Sequence, residues 1–99
     1  MIVHFPPPAA LIYPVNPDSE LLVRLKTWNP DLNWEKLELV RLEPRTWNNG
    51  SHGCPIEGHY YTQALVPGYL IVLQIEERTF EVHTNEAMSV FAIPGVGFI

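Results

Sequence analysis

Tyr69-Leu70-Ile71-Val72-Leu73-Gln74-Ile75 is the stretch on which the fold turns. Successive side chains of a strand point to opposite faces. Tyr69, Ile71, Leu73 and Ile75 therefore share one face, and Leu70 and Val72 the other. A strand apolar on both faces is covered on both, and a helix or an extended arm is the local candidate for the second cover. Downstream, Glu76-Glu77-Arg78 turns the chain, and Thr79 to His83 reads as a strand with Phe80 and Val82 inward and Thr79, Glu81 and His83 outward. Upstream, Pro67-Gly68 fits the central pair of a type II turn, and Tyr60 to Val66 reads as a further strand. Together these make an antiparallel meander.

Working back from this core, Asp18-Ser19-Glu20 is a helix-start signature. Leu21, Leu22, Leu25 and Trp28 recur at helical spacing, Glu20 and Arg24 stand one turn apart, and Pro30 stops the element. Asn29 to Asn33 is a turn cluster. Lys36 to Glu43 reads as a strand with a slip at Leu39-Val40 that marks a bulge, ended or kinked by Pro44. Asn48-Asn49-Gly50 is a strong turn signal. It opens a long irregular loop, residues 48–59, and loops of that length are commonly functional.

The two ends differ from this middle. Pro6-Pro7-Pro8 imposes polyproline geometry on residues 1–17 and removes three donors, so that segment is an arm and not a central strand. Residues 89–99 carry no charged side chain, which free tails rarely tolerate. The expected organisation is an extended N-terminal arm (1–17), an α+β domain (18–88) and an apolar C-terminal tail (89–99). The expected fold is one short helix packed on an antiparallel sheet of about four strands, with extended apolar arms at both ends.

Ninety-nine residues form one domain with a modest core. Ten prolines, about twice the usual share, argue against a helical bundle. A net charge of −5 with six scattered Lys and Arg argues against nucleic acid, whose phosphates supply most of such affinity. No run reaches the length of a membrane span. The single Cys54 has no internal disulfide partner and suits a reducing compartment. The first ten residues lack the basic region of a signal peptide. A cytoplasmic protein, or one assembled into a virion there, is expected.

Chemistry-bearing residues cluster in the 48–59 loop. Cys54 has His52 and His59 nearby in sequence, but a thiolate nucleophile needs an oriented base and an oxyanion site, and no further polar residue is clearly placed to orient either histidine. His52-x-Cys54 with His59 and His83 matches no standard zinc spacing. Cys54 reads instead as a small buried residue and the histidines as surface groups. Glu76-Glu77 reads as a solvated hairpin tip, and Glu81 and His83, on one outer face, as a surface pair. No cofactor and no metal are implied, and no enzyme is expected. Trp28, Trp34 and Trp47 with Tyr60, Tyr61 and Tyr69 offer an aromatic binding face; the favoured reading instead places Trp28 and Trp47 in the core and leaves Trp34 partly exposed.

Residues 19 to about 85, a short helix, a strand ending in Trp47 and the segment that follows, resemble a small bacterial domain, largely cyanobacterial and often found in exported proteins, for which no function is known. The residues carrying the resemblance are Trp47, Asn49-Gly50, Gly53-Cys54-Pro55, Gly58, Tyr61-Thr62-Gln63, Pro67-Gly68-Tyr69 and His83-Thr84-Asn85. It implies a compact helix-plus-sheet domain and no activity. Gln63 to Gly68 is also similar to the Gln-x-Val-x-Gly hairpin of cystatin-type inhibitors, though one residue longer.

These readings point to a non-catalytic structural or accessory protein that docks on a larger assembly, such as a phage capsid or a cyanobacterial complex. Its apolar ends would bind a protein partner or drive self-assembly through Phe5, Leu11, Tyr13, Trp34, Phe91, Ile93 and Phe98. The alternative is a protease inhibitor or ligand-binding module using the 48–59 loop and the Pro67-Gly68 hairpin, with His52, Cys54, His59, Gln63, Pro67 and Gly68 as its contact residues.

Overall fold

A computed structural model describes residues 19–99. The expected N-terminal arm, with Phe5, Leu11 and Tyr13, lies outside the described residues. One α-helix, α1 (Glu20–Trp28), and a short 3₁₀ turn (Trp34–Lys36) precede five strands: β1 (Leu37–Trp47), β2 (Val66–Ile75), β3 (Arg78–Asn85), β4 (Phe91–Ile93) and β5 (Gly97–Phe98). They form one sheet in the order β1-β2-β3-β4-β5, with every pairing antiparallel. The fold is α+β.

The helix begins and ends as its sequence dictates. Ser19 Oγ accepts the Leu22 N–H at 3.2 Å, an N-cap bond that satisfies one of the free donors of the first turn. Leu21, Leu22 and Leu25 are buried on one stripe and join Trp34, Ile71, Leu73, Ile75, Val82, Phe91 and Ile93 in the main core. The outer face carries the Glu20–Arg24 pair at 2.8 Å. Arg24 also donates to the Ile99 carbonyl oxygen at 2.6 Å and lies 5.8 Å from the centre of the Phe91 ring. The helix is thereby tied to the end of the chain.

β2 presents two apolar faces, as its alternation requires. Ile71, Leu73 and Ile75 enter the main core, while Leu70 and Val72 pack with Trp47 in a second, smaller cluster. The register of β1 on β2 slips between Leu39 and Arg41, which confirms the bulge, and Val40 there is exposed. β1 runs on through Pro44 to Trp47. Pro44 is tolerated because β1 is the edge strand among the described residues, where a missing donor need not cost a ladder bond.

Several expectations are corrected. The sheet has five strands, not four. The C-terminal stretch is no extended arm: Phe91, Ala92 and Ile93 are buried in β4 and pair with β3. Pro67-Gly68 is no turn. Pro67 pairs with Thr46, Gly68 pairs with Arg45 and Asn85, and the strand runs straight through both. The hairpin on which the inhibitor reading rested is absent.

The type II turn chemistry expected there occurs instead at Pro94-Gly95. Val96 N–H donates to Ile93 O at 2.9 Å across the pair, and Gly95 takes φ +80°. Residues 60–65 form no strand with any described residue. His83, expected outward on a solvated face, is buried. The face it shares with Leu70 is covered by Trp47 and by the loop that follows β1.

Candidate functional site

The chemistry-bearing side chains converge beneath that loop. Trp47, the last residue of β1, lays its indole flat on the His83 imidazole, with ring centres 4.2 Å apart and planes 6° from parallel. Its Nε1–H donates to the Thr84 carbonyl at 2.9 Å, which ties the ring to β3. The chain then turns through Asn49, whose side-chain oxygen accepts from Ser51 N–H (2.9 Å) and Ser51 Oγ–H (2.6 Å). His52 and Gly53 follow with φ of +56° and +75°, and carry the backbone across the top of His83.

Here Cys54 Sγ comes to 3.3 Å from His83 Nδ1. The same Nδ1 is 2.7 Å from the His52 carbonyl oxygen. A carbonyl only accepts, so Nδ1 carries the proton and donates it to His52 O. The nitrogen that faces the thiol therefore has no lone pair with which to take a proton from it. The thiol in turn lies 3.7 Å from the same carbonyl, its weak acceptor. On the far side of the ring, His83 Nε2 stands 3.5 Å from Glu81 Oε2. That is within ion-pair reach, yet Nε2 is buried with no hydrogen-bond partner among the described residues. At this distance and without a bonded proton between them the two groups form no hydrogen bond, and the pair is ionic only when the imidazole is protonated.

Glu81, His83 and Cys54 thus stand in the order of an acid–imidazole–thiol relay without its chemistry. Cys54 is 2% exposed. Burial first, and the Glu81 carboxylate second, push its thiol up from 9.0 to about 11. A nucleophilic cysteine needs the opposite environment, exposed and electropositive.

This has a consequence at alkaline pH. Between pH 9 and 11 an unfolded chain has released the thiol proton while the folded chain still holds it. The unfolded state then binds fewer protons, and stability falls as pH rises, by up to about 2–3 kcal/mol. Below about pH 8 the thiol is protonated in both states and contributes no slope. Urea unfolding of the native chain and of Cys54→Ala at pH 9 and pH 11 separates this loss from that of other alkaline groups. The native chain is expected to lose more stability than the variant over that interval.

The other expected site residues are dispersed. His52 is buried, with Nδ1 3.0 Å from Gly50 O, and Phe98 meets its ring edge-on at 5.4 Å. His59 is exposed and stacks loosely on Tyr61. Gln63 is exposed and donates to Tyr61 O. Trp34 is buried, corrected from partly exposed, because Nε1–H finds Asn29 O at 2.9 Å and its ring meets Phe80 at a right angle. Phe91 and Ile93 fill the core and leave only Phe98, of the three tail residues, half exposed. A cleft of 280 Å³ beside the β1–β2 ladder is lined by Pro44, Thr46, Pro67, Tyr69 and Glu86, and does not touch Cys54.

Two residues outside the expected contact set stand out. Tyr60 is fully exposed and Leu65 is 68% exposed. A usable signal lay in the charge pattern: residues 58–75 contain no Asp, Glu, Lys or Arg. No group of three or more His, Cys, Asp or Glu among the described residues is arranged to hold a metal ion, and no described helix is long and apolar enough to cross a membrane.

No curated protein and no solved structure matches the chain. A domain of unknown function, DUF8738, matches residues 23–93, from within α1 to the end of β4, and so takes in Trp47, Cys54 and His83. The chain belongs to the DUF8738 family.

Proposed function

We propose that this chain is a non-catalytic docking module that binds another protein chain through the uncharged segment 58–65. The observation that carries this reading is an inversion of what a catalytic surface presents. Cys54, His83 and His52 are buried and committed to one another and to backbone carbonyls, while Tyr60 and Leu65 stand in solvent. Exposed tyrosines and leucines without charged neighbours are the composition of a contact surface. The earlier contact set shifts accordingly, away from the buried Trp34, Phe91 and Ile93 and toward Tyr60 and Leu65. A phage capsid and a cyanobacterial complex are the assemblies in which to look for a partner.

A photo-crosslinking residue at position 60, in the full chain expressed in its own host, tests this. A discrete protein adduct is expected at position 60 and not at Glu77, which lies in the exposed β2–β3 turn. The same adducts at both positions, or none at 60, would overturn the reading.

A further inference from the structure

Helix α1 is shorter than the sheet it covers. Its nine residues rise about 14 Å, while the ten residues of β2 extend about 33 Å. Trp28, at the end of the helix, meets Phe80 with ring centres 6.1 Å apart. One turn back, Arg24 lies over Phe91. Phe91 belongs to a single row across the sheet, since it pairs with Thr84, Thr84 with Tyr69 and Tyr69 with Pro44. The start of the helix at Ser19 therefore stands at the level of that row or past it, on the β4 side.

At the other end of the row the cover is incomplete. Pro44 is exposed and Tyr69 half-buried, and with Thr46, Pro67 and Glu86 they line the 280 Å³ cleft. From Pro44 the same face of β1 continues as Leu42, Leu39 and Leu37, each half-buried against the main core. The main core thus has one partly open side, along β1, with the cleft at the end where the chain enters the helix.

We propose that residues 1–17 of the same chain close this side, with Leu11, Ile12 and Tyr13 seated over Pro44 and Tyr69. Reach permits it. From β4 to β1 is three strand spacings, about 14 Å. Tyr13 precedes Ser19 by six residues, which span up to about 20 Å when extended, and the difference serves the descent from helix to sheet. Charge favours it. Residues 1–17 contain no Asp, Glu, Lys or Arg, and the cleft offers a charged ligand little: an anion meets Glu86 and finds Arg45 already paired with Glu43. Tethering favours this segment over any free ligand, because a short connection sets an effective concentration of the order of millimolar. The contact is made by side chains on the face of β1 and not by a sixth strand, since the bulge at Val40, Pro44 and the charges of Arg41, Glu43 and Arg45 discourage pairing along that edge. This closure is independent of the docking reading. It makes the cleft a seat for the chain itself and leaves segment 58–65 free for a partner.

A nitroxide at position 10 of the full chain, introduced as Ala10→Cys in a Cys54→Ala background, tests this by amide NMR. The label sits beside the anchoring residues without replacing one. The amide signals of Thr46, Gly68 and Tyr69 should be lost, while those of Glu38 and Gln74, paired on the opposite face, should remain. Leu11→Asp with Tyr13→Asp should restore the lost signals, and unchanged dispersion elsewhere shows the sheet still folded. Equal broadening at all these residues, loss at none of them, or loss that survives the double substitution would overturn the proposal. So would loss of the same signals in an isotope-enriched chain without nitroxide mixed with a nitroxide-labelled chain, which would make the occupant a second copy. Neither outcome alters the adduct expected at position 60, so the two readings fail separately.

Discussion

Gly68→Ala is expected to lower stability by about 3 kcal/mol or more, at or above the upper end of what overpacking usually costs. A Cβ at this position would lie 1.8 Å from the Thr84 carbonyl oxygen, 2.8 Å from the carbonyl carbon and 3.0 Å from Trp47 Nε1. Two of these atoms are backbone of the paired strand β3, and no rotamer change moves them aside. The third is the donor of the Trp47–Thr84 hydrogen bond. The added methyl must therefore push β2 and β3 apart or break that bond. At about 4–8 °C per kcal/mol for a domain of this size, the melting temperature should fall by more than about 10 °C. A variant that melts within about 2 °C of the native chain would show that the two strands do not approach each other this closely.

Trp47→Ala is expected to cost about 3–5 kcal/mol, the range for deleting a large buried aromatic. The indole covers Leu70 and Val72, stacks on His83 and satisfies the Thr84 carbonyl. Its loss opens the second apolar face of β2 to water and removes the lid over the Cys54–His83 contact. Trp47→Phe separates the two roles. It keeps most of the apolar cover, loses the hydrogen bond, and should cost about 1–2 kcal/mol. Denaturant unfolding of both variants checks this. Equal losses in the two would mean that the Thr84 bond, and not the covered area, holds this side of the sheet. For a domain whose total stability is of the order of 5–15 kcal/mol, either Gly68→Ala or Trp47→Ala removes a large share.

The parts of the fold that are local in origin were legible in the sequence. Helix α1 was announced by Ser19 at its N-cap, by the spacing of Leu21, Leu22 and Leu25, and by Pro30 beyond its end. The two-faced burial of β2 followed from alternation, and the Leu39-Val40 slip from its interruption. What failed were decisions that depend on distant residues. Pro-Gly occurs twice, at 67–68 and at 94–95, and dihedral preference alone favours a turn at both. The second is a turn. The first is a strand, because Gly68 is required there for close approach to Thr84 and not for its φ.

His83 was placed on the correct face and given the wrong environment. The same register that sets it opposite Leu70 makes that face apolar, so an outward, solvated histidine was inconsistent with a two-faced β2. The Cys54–His83 contact spans 29 residues, and no spacing rule reaches across a loop that first turns left-handed at His52. Tyr60–Val66 had the composition of a strand, and the protein supplies most of it with no partner among the described residues. That mismatch between strand-like sequence and missing ladder is the most informative of the errors, since it locates the surface proposed for docking.

The docking reading requires the cysteine–histidine cluster to hold the loop against the sheet and its thiol to be inert. The rate of Cys54 alkylation by iodoacetamide near neutral pH, in the folded chain and in urea, tests this most directly. A buried thiol held protonated reacts only when the protein opens, so the folded rate should lie at least about a thousandfold below the unfolded one. Labelling of the folded chain within about tenfold of the unfolded rate would show a thiol that is accessible and ionised beneath Trp47, and would contradict the account.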